Sequence, residues 1–542
     1  MMRDLFFAAG GVGLFLLGML LLTEGLRALA GDALRRWLAR FTRTPLSGAA
    51  TGAAVTAVVQ SSSATTVMAV GFVGAGLLSF PQALGVIFGA NIGTTLKGWI
   101  VAIIGFQFDL GAVAMPLLFV GVLLRMFAGG RWAQAGWALA GFSLLFVGIE
   151  TMTIGLSAFE GVVTPDDFPP DTLFGRLQLV LIGVAITLVT QSSSAGVATA
   201  LVALGTGTIS FPQAAAMVIG MDMGTTATAV LAALGGSTSA RRTGWAHCVY
   251  NLLTGAMAFL LLGPYTGFVA PLLTDGGRGD AQLALVAFHT GFNVLGVLLV
   301  IPFAGAFARL IVRLVPERGP ALTRRLDDQL LKDPGTAVDA LGATLGDIAN
   351  ALRRELARAL RREGGRAGRE RRLGEIAGAL EEARRFAASI RTGRDGPDRH
   401  GRHQTAIHTL DHLLRLSHRA GQSDRIATLE TEPRLARFAR LMARGIDAGL
   451  GAVPRAVAEG QANRLRRILR DERDRFRDAT IDAVTEQAIS GQEGLGRLDA
   501  VRWLHRVAYH LWRIEHHLRI IAETSPAVRE APPQHAPGAA AA

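Results

Sequence analysis

Gln60-Ser61-Ser62-Ser63-Ala64 returns 131 residues later as Gln191-Ser192-Ser193-Ser194-Ala195. At the same offset Ser79-Phe80-Pro81-Gln82-Ala83 matches Ser210-Phe211-Pro212-Gln213-Ala214, and Gly93-Thr94-Thr95 matches Gly224-Thr225-Thr226. From 60 to 95, 17 of 36 positions equal their counterparts. Upstream, at an offset of 130, Gly18, Thr23, Gly25 and Leu26 meet Gly148, Thr153, Gly155 and Leu156. The unit is helix, hairpin, helix, and it occurs twice.

Each Gln-Ser-Ser-Ser lies near the middle of a long apolar stretch, 49–78 and 174–208. As one helix, 174–208 would run about 50 Å at 1.5 Å per residue, against a bilayer core of about 30 Å. A polar break halfway along such a stretch predicts a re-entrant hairpin that reaches the midplane and returns. The remaining apolar segments, 5–29, 80–105, 111–128, 133–158, 210–235, 243–263 and 282–313, are expected to span. Arg3, the apolar run to Leu22 and Ala28-Leu29-Ala30 have the outline of a cleavable signal. Glu24 and Arg27 interrupt that outline and the segment recurs later, so it reads as a membrane helix.

The basic residues set an orientation. Arg35, Arg36, Arg40 and Arg43 place the loop after the first helix in the cytoplasm, as do Arg131, Arg241 and Arg242 for theirs. The 159–173 loop carries Glu160, Asp166, Asp167 and Asp171 and suits the outside, as does 264–281. Seven spanning helices and two re-entrant hairpins satisfy every loop, and the two repeats then have opposite orientation. Inverted repeats with broken elements are the signature of a secondary transporter.

The residue types suit that role. Serine caps helix N-termini, so Ser61–Ser63 and Ser192–Ser194 are expected to open the returning half-helices. Their free N–H groups and partial positive charge suit an oxyanion. Hydroxyls, free carbonyls and the Gln60 and Gln191 side-chain oxygens suit Na⁺. Asn91 and Thr94 in the first repeat, and Asp222 and Thr225 in the second, add oxygens on the helix after each hairpin. Asp222 is a carboxylate in an apolar helix and reads as a cation ligand or proton carrier. His247 and Asn251, and His289 and Asn293, share a His-x-x-aromatic-Asn pattern on one helix face; they line a pathway or hydrogen-bond between helices. Lys97 reads as snorkelling to the outer face.

These residues resemble the type II sodium/phosphate cotransporter family in its bacterial form. That family carries paired Gln-Ser-Ser motifs in inverted repeats with a downstream Asn-Ile-Gly-Thr-Thr stretch, here Asn91–Thr95. The likeness covers residues 13–100 and 141–305. It implies inorganic phosphate as substrate and Na⁺ as coupling ion, with Gln60, Ser61, Ser62, Ser63, Thr65, Thr66, Asn91, Thr94, Gln191, Ser192, Ser193, Ser194 and Thr225 at the site. Two departures stand out. Asp222 replaces the asparagine, and Gly196-Val197 replace Thr65-Thr66, which bears on the number of Na⁺ ions and any role for H⁺.

Charge divides the chain. Residues 1–315 hold 15 Lys+Arg and 12 Asp+Glu, whereas 316–542 hold 40 and 31. After Asp333-Pro334-Gly335, residues 336–523 read as six amphipathic helices, about 336–363, 368–391, 404–420, 431–449, 455–489 and 496–523, separated at Gly364-Gly365, Asp395-Gly396-Pro397, Pro454 and Gly491–Gly494. They suit antiparallel bundles and resemble the PhoU family around Leu410–Leu416 and Leu511–His517. Arg415 and Arg519 stand four residues after Asp411 and Glu515, where a second metal ligand would be needed, so no metal cluster is expected. Arginines alternate with acids, which suits a solvated helix surface and not nucleic acid. The single cysteine, Cys248, excludes an internal disulfide.

The expected fold is all-α: transmembrane repeats at 1–132 and 133–315, a cytoplasmic helical-bundle domain at 316–524, and a disordered tail at 525–542. The expected function is sodium-coupled phosphate transport across the bacterial inner membrane, with the helical domain regulatory. A phosphate sensor without coupled flux, and a carrier of another oxyanion, are the alternatives. No nucleotide loop, catalytic triad or zinc motif marks an enzyme. No cofactor is expected beyond sodium. The partners are phosphate, sodium and the lipid bilayer, with a second copy and a cytoplasmic regulatory protein as candidates.

Overall fold

A computed structural model describes residues 2–74, 77–105, 111–233, 237–269, 278–316, 321–363, 365–392, 397–449 and 453–524. The disordered-tail expectation for 525–542 and the breaks at Gly364 and at Asp395-Gly396 lie outside the described residues. Among those residues there is no β-strand. They form two compact units, one up to Pro316 and one from residue 321 onward.

The first unit contains α1 (Met2–Phe41), α2 (Pro45–Val59), α3 (Ser62–Gly74), α4 (Phe80–Trp99), α5 (Gly111–Phe127), α6 (Gly130–Ser157), α7 (Leu173–Thr190), α8 (Ser193–Gly205), α9 (Phe211–Ala233), α10 (Thr238–Pro264), α11 (Arg278–Val300) and α12 (Ala304–Leu314). Among the described residues, six helical stretches are long and apolar enough to cross a membrane: Met2–Gly31, Phe80–Gly105, Gly130–Ser157, Leu173–Thr190, Thr238–Phe268 and Ala281–Leu314. Five coincide with expected spans. The sixth, α7, is the entering arm of the second broken pair, while α5 has 17 residues.

Glycines set how these helices pack. A methyl on Gly11 would lie 2.5 Å from the Met152 backbone nitrogen, one on Gly18 2.7 Å from the Gly141 oxygen, and one on Gly25 2.5 Å from the Ala138 nitrogen. As α1 advances, its neighbour on α6 recedes, so these two equivalent helices run antiparallel at backbone contact. Close approach of this kind needs small residues. Within each repeat, α2 lies parallel to α4 and α7 to α9. A methyl on Gly89 would fall 1.9 Å from the Ala49 oxygen, and one on Gly220, 131 residues on, 1.9 Å from the Val180 oxygen. Thr56 beside Gly93 and Thr187 beside Gly224 repeat the same relation. The duplication in sequence is thus a duplication of backbone contacts.

The repeated Ser-Phe-Pro-Gln stretch has a structural job. Gln82 Oε1 accepts from the Ser79 backbone N–H at 2.8 Å, and its Nε2 donates to the Arg43 oxygen at 2.7 Å, just ahead of α2. Gln213 Oε1 accepts from Ser210 N–H at 2.8 Å, and its Nε2 donates to the Pro165 oxygen at 2.8 Å, ahead of α7. One glutamine therefore caps the exit helix of each repeat and ties it to the hairpin's entry. Part of the α4–α10 contact is aromatic, with Phe88 stacked on Tyr250 at 4.1 Å between centroids.

The second unit contains α13 (Pro334–Arg361), α14 (Arg366–Ser389), α15 (Pro397–Ala420), α16 (Ser423–Thr428), α17 (Pro433–Ala448), α18 (Arg455–Thr485) and α19 (Gly491–Thr524). The six long helices match those read from periodicity in number and order, but α15 begins at Pro397 and not near 404, and α19 takes in Gly491–Gly494, where a break was expected; the short α16 is additional. Asp333 caps α13 by accepting from Thr336 N–H at 3.2 Å, and Pro334 occupies its first turn, where the missing N–H costs nothing. Leu341, Leu345, Ile348, Leu352, Trp503, Leu504 and Ile514 are buried. Charges are buried too: Glu515 is paired with Arg353 and, at 3.2 Å, with Arg455, and Arg402 with Asp339. Arg415 pairs with Asp411 at 2.9 Å. Arg519 engages Glu459 and Glu523.

Candidate functional site

Both Gln-Ser-Ser-Ser stretches break a helix in the same way. Gln60 ends α2 with φ 59° and ψ 28°, and Gln191 ends α7 with φ 52° and ψ 23°. This left-handed conformation is uncommon for a residue with a side chain and reverses the chain in one step. Ser61 Oγ then accepts from Ala64 N–H at 3.2 Å, and Ser192 Oγ from Ala195 N–H at 3.2 Å. The serine caps expected from the sequence are present in both copies. They leave the N–H groups of Ser62, Ser63, Ser193 and Ser194 in helix first turns without intrahelical acceptors. Each break presents a helix C-terminus and a helix N-terminus side by side, one favouring a cation and the other an anion.

The copies differ inside the turn. Gln60 is buried; its Nε2 donates to the Ala57 oxygen and its Oε1 has no hydrogen-bond partner. Gln191 is exposed. Thr23 Oγ1 donates to the Gln60 oxygen at 3.3 Å, so α1 braces the first turn. Thr56 Oγ1 donates to Thr65 Oγ1 at 2.9 Å, and Thr65 passes the chain to the Ser61 oxygen at 3.1 Å. With Gly196 in place of Thr65, Thr187 instead donates to the Met221 oxygen on α9 at 3.1 Å. Thr66, Ser62 and Ser194 are half-buried, Ser63 is exposed and Ser193 is buried.

A second group of predicted residues meets across α4, α9, α10 and α11. Asn91 Nδ2 donates to Asn251 Oδ1 at 2.5 Å, and His247 Nε2 lies 3.1 Å from Asn91 Oδ1. Asn251 Nδ2 donates to the Asp222 backbone oxygen at 3.2 Å and contacts Thr225 Oγ1 at 3.4 Å. His289 Nε2 stands 3.6 Å from Asp222 Oδ1. Asn251 therefore links Asn91 of the first repeat to Asp222 and Thr225 of the second. Of the two pairs on α10 and α11, His247 and Asn251 hydrogen-bond between helices, whereas Asn293 Nδ2 donates within its own helix, to the His289 oxygen at 3.1 Å. Thr94 likewise bonds its own helix at Ala90, at 2.9 Å. Sequence reasoning missed Thr290, which donates to Thr95 Oγ1 at 3.0 Å and accepts from Trp99 Nε1 at 2.9 Å. Its place inside the His289–Asn293 pattern was the available signal. Lys97 is half-buried.

The Na⁺/Pi-cotransporter family matches residues 14–153 and 172–296. The chain is 34% identical over 310 residues to the uncharacterized protein YqeW of Bacillus subtilis, covering 56% of this chain and 96% of that one. It is 29% identical over 360 residues to YjbB of Salmonella typhimurium, provisionally named an inorganic phosphate export protein, covering 65% of this chain and 62% of the relative. YjbB of Escherichia coli K12 gives 29% over 349 residues, 62% of this chain and 61% of that one. No solved structure matches the chain. The family match takes in both Gln-Ser-Ser-Ser breaks and the helices that join them, and the Bacillus relative is covered almost end to end: this multi-pass membrane chain belongs to the Na⁺/Pi-cotransporter family.

Proposed function

We propose that the chain is a sodium-coupled carrier of inorganic phosphate in the bacterial inner membrane, and a transporter, not an enzyme. The carrying observation is the matched pair of Gln-capped helix breaks. α3 and α8 each have 13 residues, about 20 Å of helix, too short for a bilayer core of about 30 Å. Re-entrant hairpins ending near the midplane account for both lengths, and the antiparallel α1–α6 contact supports opposite orientation of the repeats. The serine N–H and hydroxyl groups receive phosphate. Gln60, Gln191, Thr65, Thr66 and Asp222 supply oxygens for phosphate's partner ions. Family membership and the naming of the YjbB relatives for phosphate export support phosphate as cargo. The second unit, which the family match does not reach, is taken as a cytoplasmic PhoU-like regulatory bundle; its helix lengths support that reading.

The test is radiolabelled phosphate flux in proteoliposomes with a Na⁺ gradient imposed in either direction. Gln60→Gly and Gln191→Gly are the informative variants, because glycine adopts the left-handed turn freely and only the side chain is lost. Sodium-dependent flux that collapses in both variants is expected. Phosphate binding without flux in the wild type would replace the carrier with a sensor, and equal competition by sulfate would remove phosphate as the selected oxyanion.

A further inference from the structure

The two repeats treat their polar clusters unequally. Asn91 and Asp222 are counterparts at the 131-residue offset, and α10 and α11 each carry a His-x-x-aromatic-Asn pattern. The α10 copy serves Asn91. Asn91 Nδ2, Asn91 Oδ1, Asn251 Oδ1 and His247 Nε2 satisfy one another, so this half is closed.

The α11 copy faces Asp222 and is open. The one ion-pair contact of Asp222 among the described residues is His289 Nε2 at 3.6 Å, beyond hydrogen-bond length. Both ring nitrogens of His289 and Oδ1 of Asn293 are buried without a hydrogen-bond partner. Asp222, His289 and Asn293 are 8%, 4% and 0% exposed. A buried carboxylate is costly unless a charge and further ligands complete it, and a buried amide oxygen one turn beyond His289 is left unused. Among the described residues no group of three or more His, Cys, Asp and Glu side chains is placed to hold a metal. One carboxylate and one amide oxygen instead suit a hard monovalent cation.

We propose that Asp222 and Asn293 ligate one coupling Na⁺ in the second repeat, with His289 orienting the carboxylate, and that the Asn91–His247–Asn251 half is an uncharged latch that holds no ion. Bound Na⁺ neutralises Asp222 and takes the free Asn293 oxygen. The proposal rests on the sodium-coupled carrier reading and adds to it where one ion sits and why the repeats differ in charge.

The experiment is ²²Na⁺ binding to the purified full chain, with phosphate binding at saturating Na⁺ measured beside it. Asp222→Asn makes the second half read like the first. It is expected to weaken Na⁺ binding by about thirtyfold or more, the weak end of truncating one partner of a buried charge contact. Asn293→Leu is expected to weaken Na⁺ in the same direction and serves where Asp222→Asn fails to fold. Wild-type Na⁺ affinity in either folded variant overturns the site, as does a wild-type chain that binds no Na⁺. Na⁺ binding lost in the variants but no phosphate flux from wild-type proteoliposomes would keep the site and sink the carrier.

Discussion

Replacing Asn251 by leucine tests whether one amide joins the two repeats. Asn251 is fully buried. Its Oδ1 accepts from Asn91 Nδ2, and its Nδ2 reaches the Asp222 oxygen at 3.2 Å and Thr225 Oγ1 at 3.4 Å. Leucine keeps the branched shape with somewhat more volume, and it removes these contacts together with that of Nδ2 to His247 Nε2 at 3.3 Å. The Asp222 oxygen still accepts from Thr225 Oγ1 at 2.7 Å, so it is not orphaned. Asn91 Nδ2 loses its acceptor while Asn91 remains buried, which costs about 1–3 kcal/mol. The long contacts to α9 add a few tenths each, as interhelical bonds in membranes average about 0.6 kcal/mol. The single variant should therefore lose about 2–3 kcal/mol. Asn91→Leu should cost a similar amount by stranding Asn251. The double variant leaves neither amide stranded, so the two losses should fall short of adding by about 1–2 kcal/mol, the upper range for a membrane hydrogen bond. Reversible unfolding in detergent micelles, followed by tryptophan fluorescence, measures the cycle. Additivity within about 0.5 kcal/mol would refute a direct Asn91–Asn251 contact.

Gly89→Ala and Gly220→Ala should each lower the melting temperature of the detergent-solubilised protein and by similar amounts. Each would place a methyl 1.9 Å from a facing carbonyl oxygen, a strain at or above the usual overpacking cost of about 1–3 kcal/mol. Gly13→Ala, with nothing within 4 Å of the added atom, should be neutral, and unequal effects at 89 and 220 would break the structural equivalence. In the second unit, burial, aided by Arg513 and His412 beside His517 and by His412 and Arg419 beside His510, holds both imidazoles down to about 4, against an ordinary value near 6.5. Between those values the unfolded chain binds more protons than the folded one, so stability falls as pH drops from about 6.5 toward 4. Hydrogen exchange, corrected for intrinsic rates, should show α15 and α19 losing protection at pH 5 relative to pH 7. Constant protection would refute the burial of those rings as neutral species.

The sequence by itself determined the duplication, the helical class, the division into an apolar and a charged half, and the serine caps. Each follows from local chemistry. Serine after a helix break finds the N–H groups three residues on, and apolar period and length set helices without reference to the rest of the chain. The six long helices after Pro334 were legible for the same reason, since their alternation of arginines, acids and buried leucines is a property of each helix alone. The role of Ser79–Gln82 was not legible, although its recurrence was. Its meaning is a bond from Gln82 to the Arg43 carbonyl across 39 positions, and no local rule names that partner. The same holds for the polar clusters. Asn91, Asp222, His247 and His289 each stood out as polar residues in apolar helices, but an unsatisfied donor in a sequence says only that some partner is required. Which helix supplies it depends on packing at backbone contact, through glycines such as Gly89 and Gly220. Only the tertiary structure decided that Asn251 completes Asn91 and that Asp222 faces His289. Side-chain hydrogen bonds reach about 3 Å, so a register shift of one helical turn would exchange every one of these partners.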